Sequence, residues 1–119
     1  MNKHELLKRT KTYALRVIKA VQALPRDDVA GILGRQLIRA GTSVGANYRA
    51  ACRAKSTADF INKLKIVEEE CDESLYWMEL LVESGLIQLR RFEMLMKEGD
   101  ELLSIFVAAI RTTRTARSS

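Results

Sequence analysis

Residues 56–85 read STADFINKLKIVEEECDESLYWMELLVESG, and their spacing predicts one long helix. Ser56-Thr57-Ala58-Asp59 has the spacing of a capping box, with aspartate in place of the usual glutamate. Phe60, Leu64, Val67, Cys71, Leu75, Met78 and the pair Leu81/Val82 then recur every three or four residues, the period at which side chains line one face of a helix. Ser84-Gly85 closes the segment, glycine being favoured just past a helix C-cap. A stripe this long buries nothing by itself and calls for partner helices.

Three other segments supply them. In the first, about residues 3–24, Lys8 is set at 0° with 100° per residue. Leu7, Ala14, Val17, Ile18, Val21 and Leu24 then fall between roughly 160° and 280°, and Lys8, Lys11, Arg16, Arg9 and Lys19 between roughly −60° and 100°. One face is apolar and the other strongly basic, and Pro25 stops the helix. The second segment spans about 27–54, with Asp27 as N-cap and Asp28 suited to the positive helix start. Its stripe reads Val29, Ile32, Leu33, Gln36, Leu37, Ala40, Val44, Asn47 and Ala51. Gly41 and Gly45 interrupt that stripe and suggest a close backbone approach or a bend, with a short break near Gly41 as the alternative. The fourth segment, about 88–113, carries Leu89, Phe92, Leu95, Met96, Leu102, Leu103, Phe106, Val107 and Ile110, with Gly99-Asp100 as a weak spot. Residues 114–119 read as a flexible tail. Connections around Pro25-Arg26, Lys55 and Gly85-Leu86 are short, so each helix runs antiparallel to the one before. The fold expected is a single all-α, up-down-up-down four-helix bundle over residues 1–119.

The 119 residues suffice for one core, and the balance of apolar to charged residues suits a globular protein. Cys52 and Cys71 lack metal or redox spacing and read as reduced thiols. No stretch approaches a membrane span or a signal-peptide core, which points to the cytoplasm. Charge is unevenly spread: residues 1–65 carry +10, residues 66–110 carry −8, and Arg111, Arg114 and Arg117 add +3. The two halves can pair on folding or assembly, and leftover basic surface can meet a polyanion.

Catalytic machinery is not expected. His4 is the only histidine and sits near a terminus, so nucleophilic triads lack a base. The glycines of the second segment lack the ending of a phosphate loop. Glu70 and Glu73 have the i, i+3 spacing of bundle metal sites, but no histidine accompanies them and no other helix offers a matching pair. The plainer reading makes them partners of arginines such as Arg39 or Arg53. Neither metal nor cofactor is expected. Tyr13, Tyr48, Tyr76 and Trp77 suit core edges or a subunit interface better than a base-stacking platform, although Tyr48 stands beside Arg49 and Arg53.

A longer pattern covers most of the chain. Arg39-Ala40-Gly41-Thr42-Ser43-Val44-Gly45-Ala46-Asn47-Tyr48-Arg49 is followed by Arg53-Ala54-Lys55-Ser56, Asp59-Phe60-Ile61-x-Lys63 and Glu70-x-x-Glu73-Ser74-x-Tyr76-Trp77. This resembles the bacterial four-helix-bundle family named for the protein encoded in 23S ribosomal RNA intervening sequences. The resemblance implies a homopentamer around a central opening. It also implies kinship with the accessory variability determinant of diversity-generating retroelements, which binds nucleic acid and a reverse transcriptase. Many members carry glutamate where this chain has Ala50.

Together these readings predict a non-enzymatic oligomer that binds RNA or DNA backbone, as an accessory to a reverse transcriptase or a ribosomal RNA element. Lys8, Arg9, Lys11, Arg16 and Lys19 are the expected phosphate contacts, with Arg49, Arg53 and the tail arginines secondary. Arg39, Asn47, Glu70 and Glu73 form the expected structural polar network. The alternative is a protein-interaction scaffold with no nucleic-acid role.

Overall fold

Asn2 begins the first helix: its side-chain oxygen accepts the Glu5 amide at 2.8 Å, and its side-chain nitrogen donates to the Glu5 carboxylate at 2.8 Å. The structure, a computed structural model, describes residues 1–118. Four helices follow in order: α1 (Lys3–Gln22), α2 (Asp28–Ala51), α3 (Thr57–Glu83) and α4 (Leu89–Ser118). No strand occurs among the described residues.

The helix starts follow from local chemistry. Asp27 caps α2 by accepting the Ala30 amide at 3.0 Å. Ser56 caps α3 through the Asp59 amide at 3.1 Å, and the Asp59 carboxylate reaches back to the Lys55 amide at 3.1 Å. The box therefore closes one residue upstream of the cap. Lys63, one turn on, donates to Asp59 at 2.6 Å and is the main reason its carboxyl sits below the usual range. At the other end of α3, Gly85 adopts φ +83°, a conformation that strongly favours glycine. The Gly85 and Ile87 amides then reach the Val82 and Leu81 carbonyls at 3.0 and 3.1 Å, satisfying the helix end.

The registers run antiparallel. Going up α2, Gly34 faces Val21 and Leu24, Gly41 faces Val17, and Gly45 faces Thr10. Arg39 of α2 meets Glu70 and Glu73 of α3, while Tyr48 shares a hollow with Phe60. Cys71 donates to the Gly99 carbonyl at 3.4 Å, and Phe60 and Thr113 border that same hollow. Consecutive helices pack along their lengths, and the seam between α1 and α4 is the thinnest. The bundle measures 51 × 21 × 19 Å.

One core cluster runs through it. At its centre Tyr13, fully buried, places its hydroxyl 2.8 Å from Ser74 Oγ. Ser74 donates in turn to the Cys71 carbonyl at 2.6 Å, so the tyrosine is the donor in the first bond. Burial raises the Tyr13 phenol well above its ordinary value and, with the nearby carboxylates Asp72, Asp100 and Glu98, pushes the Cys71 thiol up to about 12.

Several expectations need correction. The α2 stripe is rotated: Val29, Ile32 and Gln36 are exposed, and Ala30, Gly34 and Gly41 take the buried positions instead. Leu89, expected in the core, is 51% exposed. The close approach expected at Gly41 and Gly45 is present, with α1 packed against both, and the alternative of a break near Gly41 does not occur. Gly99 is a contact point rather than a weak spot: a Cβ there would lie 2.8 Å from both the Tyr13 hydroxyl and a Leu75 methyl. Finally, α1 stops at Gln22 and α2 at Ala51, whereas α4 continues through the expected tail to Ser118. Thr113 and Thr115 fold their hydroxyls onto the Ala109 and Arg111 carbonyls there. Ser119 lies outside the described residues.

Candidate nucleic-acid interface

The basic face of α1 divides in the folded chain. Arg9 turns toward α4, where its Nε and Nη2 meet the two oxygens of Glu98 at 3.0 and 2.5 Å, with Glu101 at 3.6 Å. This two-pronged, charge-assisted contact closes the thin α1/α4 seam. The Glu98 hydrogen bond also raises the Arg9 pKa, fixing its charge. Arg9 therefore leaves the set of free cations; helical angle alone could not reveal a partner 89 residues away.

Lys8 and Lys11 project the other way, over the cleft between α1 and α2. Across it stands Arg49, from the last turn of α2. Among the described residues these three cations make no ion pair. Between them lies a groove of about 580 Å³ whose lining, among the described residues, includes no carboxylate. Its floor is made by Leu7 and Ala14 of α1 and by Thr42, Gly45 and Ala46 of α2, with His4 at one end.

Small residues create this shape. A Cβ on Gly45 would sit 3.3 Å from the Thr10 carbonyl oxygen, so the two backbones nearly touch and shut the floor off from the core. Above that line Ala14, Thr42 and Ala46 are too short to fill the space. The hydroxyls of Thr10 and Thr42 donate to the Leu6 and Ile38 carbonyls at 2.8 and 2.7 Å. No hydroxyl proton is left for a ligand, and the floor is mostly apolar. The groove thus combines a greasy base with an uncompensated cationic rim.

The remaining candidates are placed elsewhere. Arg16 and Lys19 lie beyond the groove, and exposed Leu15 stands among the α1 cations. Arg53 is exposed past the end of α2. Arg39 bridges to Glu70 at 3.1 Å and to Glu73, bringing three of the expected network residues together. Asn47 does not join them: its side chain donates to the Ser43 carbonyl of its own helix at 2.8 Å. Tyr48 is buried against Phe106, ring centroids 5.6 Å apart, and offers no stacking platform. Among the described residues no three His, Cys, Asp or Glu side chains converge as a metal site. No helix there is long and apolar enough to cross a membrane.

The groove floor is not legible in the sequence. Leu7 and Ala14 fall on the apolar side of α1, where a core position is expected. The only signal for the opposite bank was the run of small residues from Thr42 to Ala46, which reads equally well as tight packing.

Comparison with known proteins places this arrangement. Residues 2–108 match the family described as 23S rRNA-intervening sequence protein. Among solved structures, a protein of unknown function from the S23 ribosomal protein family of Bacteroides thetaiotaomicron superposes with a TM-score of 0.86 at 32% identity. That match covers 93% of this chain and 99% of the other. No curated protein matches significantly.

Proposed function

The chain belongs to the 23S rRNA-intervening sequence protein family, and from that premise we propose that it binds nucleic acid, without catalysis, through the groove between α1 and α2. One observation carries this reading: Lys8, Lys11 and Arg49 surround a groove that, among the described residues, contains no acid to neutralise them. Cations held without counter-charge are stabilised by an anion, and phosphates supply one at each step of a strand. Arg16, Lys19, Arg53 and the α4 arginines lie outside the groove and serve as outer contacts. The family's name favours a ribosomal RNA element as the source of the strand, met in the cytoplasm.

The test is a salt titration of binding to a labelled single-stranded RNA. Three phosphate contacts predict a slope of about −2 in log affinity against log salt, at ~0.7 per contact. Outer contacts steepen it. A flat titration, or no binding at low salt, removes the reading.

A second surface supports self-assembly. The Arg39 bridge to Glu70 and Glu73 ties α2 to α3, and on these two helices Val29, Ile32, Ile66 and Tyr76 are each about half exposed. Large apolar side chains exposed on these two paired helices support a protein contact. A second copy fits, and the pentamer implied by the family resemblance would use such a surface; a reverse transcriptase is the alternative occupant. Light scattering reads the outcome: assembly gives a multiple of the 13.5 kDa chain mass, and a monomer mass removes it.

A further inference from the structure

We propose that the α1/α2 groove holds one unpaired base of a single-stranded nucleic acid, lying on the apolar floor while its flanking phosphates meet Lys8, Lys11 and Arg49. This rests on the nucleic-acid reading and adds to it the state of the strand.

Shape and chemistry lead there together. A purely electrostatic contact needs only a convex basic ridge. Here the cations rim a hollow of about 580 Å³ whose floor offers Leu7, Ala14 and Ala46 and no free hydroxyl proton. Phosphate alone would leave that apolar floor hydrated. A base brings a flat apolar face to cover it, and only an unpaired base has that face free. In a duplex the faces are already buried in the stack, so a duplex can use the rim but not the floor. The groove also suits an entering group in depth. Gly45 draws the helix backbones together beneath it, so a ligand rests on the surface without reaching the core. Apart from the His4 ring at one end, the lining among the described residues holds no aromatic side chain, so over the floor the base lies on aliphatic carbon rather than between rings. That arrangement tolerates all four bases and makes the contribution modest.

The test fills the floor without touching charge. Ala46 is exposed, so Ala46→Leu occupies the hollow and leaves the core alone. Binding is measured for a fluorescent single-stranded 12-mer as RNA and as DNA, for the same length of abasic strand, and for the matching duplex. Wild type is expected to prefer the base-bearing strands over the abasic one. Ala46→Leu is expected to weaken the base-bearing strands about tenfold, equivalent to ~1.4 kcal/mol. Its affinity for the abasic strand and the duplex stays as in wild type. A loss confined to RNA or to DNA identifies which source the floor accepts. Equal binding of abasic and base-bearing strands, or equal losses for duplex and single strand, overturns the base-binding inference and leaves the phosphate contact standing. Absence of binding to all four probes removes both.

Discussion

Replacing Lys8, Lys11 and Arg49 together by glutamate lowers the affinity for single-stranded RNA at least about a hundredfold. Each exposed cation contributes on the order of 1 kcal/mol against a phosphate, and three such contributions correspond to about a hundredfold in affinity. Reversal adds repulsion to the loss. All three side chains are exposed and make no ion pair among the described residues, so helix content and melting temperature are expected to stay as in wild type. The control is a second triple reversal, at Arg35, Lys65 and Lys97, which are exposed and lie outside the groove. It changes net charge equally and is expected to cost only a few-fold. Fluorescence anisotropy with both variants separates a local site from the general field of a basic protein. Equal losses in the two would assign the affinity to net charge.

Gly41→Ala destabilises the bundle, against the direction that helix propensity predicts. Alanine is better than glycine inside a helix by about 1 kcal/mol. At Gly41, however, a Cβ would meet three Val17 carbons at 2.8, 2.8 and 3.1 Å. Val17 is fully buried and β-branched, so it cannot rotate aside, and α1 must move away from α2. Overpacking of this kind costs ~1–3 kcal/mol, and set against the propensity gain the net loss reaches about 2 kcal/mol. A bundle of this size then melts up to roughly 10 °C lower. Gly31→Ala supplies the contrast. The nearest atom to its Cβ is Arg35 Nη1 at 3.8 Å, so propensity acts alone and stability rises by up to ~1 kcal/mol. Thermal melts followed by circular dichroism measure both. If Gly41→Ala melts higher than wild type, α1 and α2 do not pack as described.

These two glycines also mark what the sequence could and could not disclose. Periodicity exposed all four helices, and the caps at Asp27 and Ser56 stood in plain view because capping is chemistry between neighbours. The Arg39 bridge to the Glu70/Glu73 flank was legible for a related reason: the carboxylates share a face and needed a cation from the next helix. The azimuth of each stripe was harder. An apolar arc on α2 wide enough to include Val29 and Ile32 does not say which edge faces the core, and the structure turns both outward. The same ambiguity hid the groove, since Leu7 and Ala14 sit on the edge of the α1 arc nearest α2. Arg9 was misplaced because its partner comes from the far end of the chain. Tyr48 looked available beside its basic neighbours, yet it turns inward onto Phe106.

Lysine footprinting tests the groove most directly. The protein is treated with an amine-acylating reagent with and without saturating single-stranded RNA, and labelling is read by mass spectrometry at each lysine. The expected result is strong protection of Lys8 and Lys11, with Lys65 and Lys97 labelled as fast as in the free protein. RNA that binds while Lys8 and Lys11 stay fully reactive would place the contact on another face and sink the assignment of the α1/α2 groove.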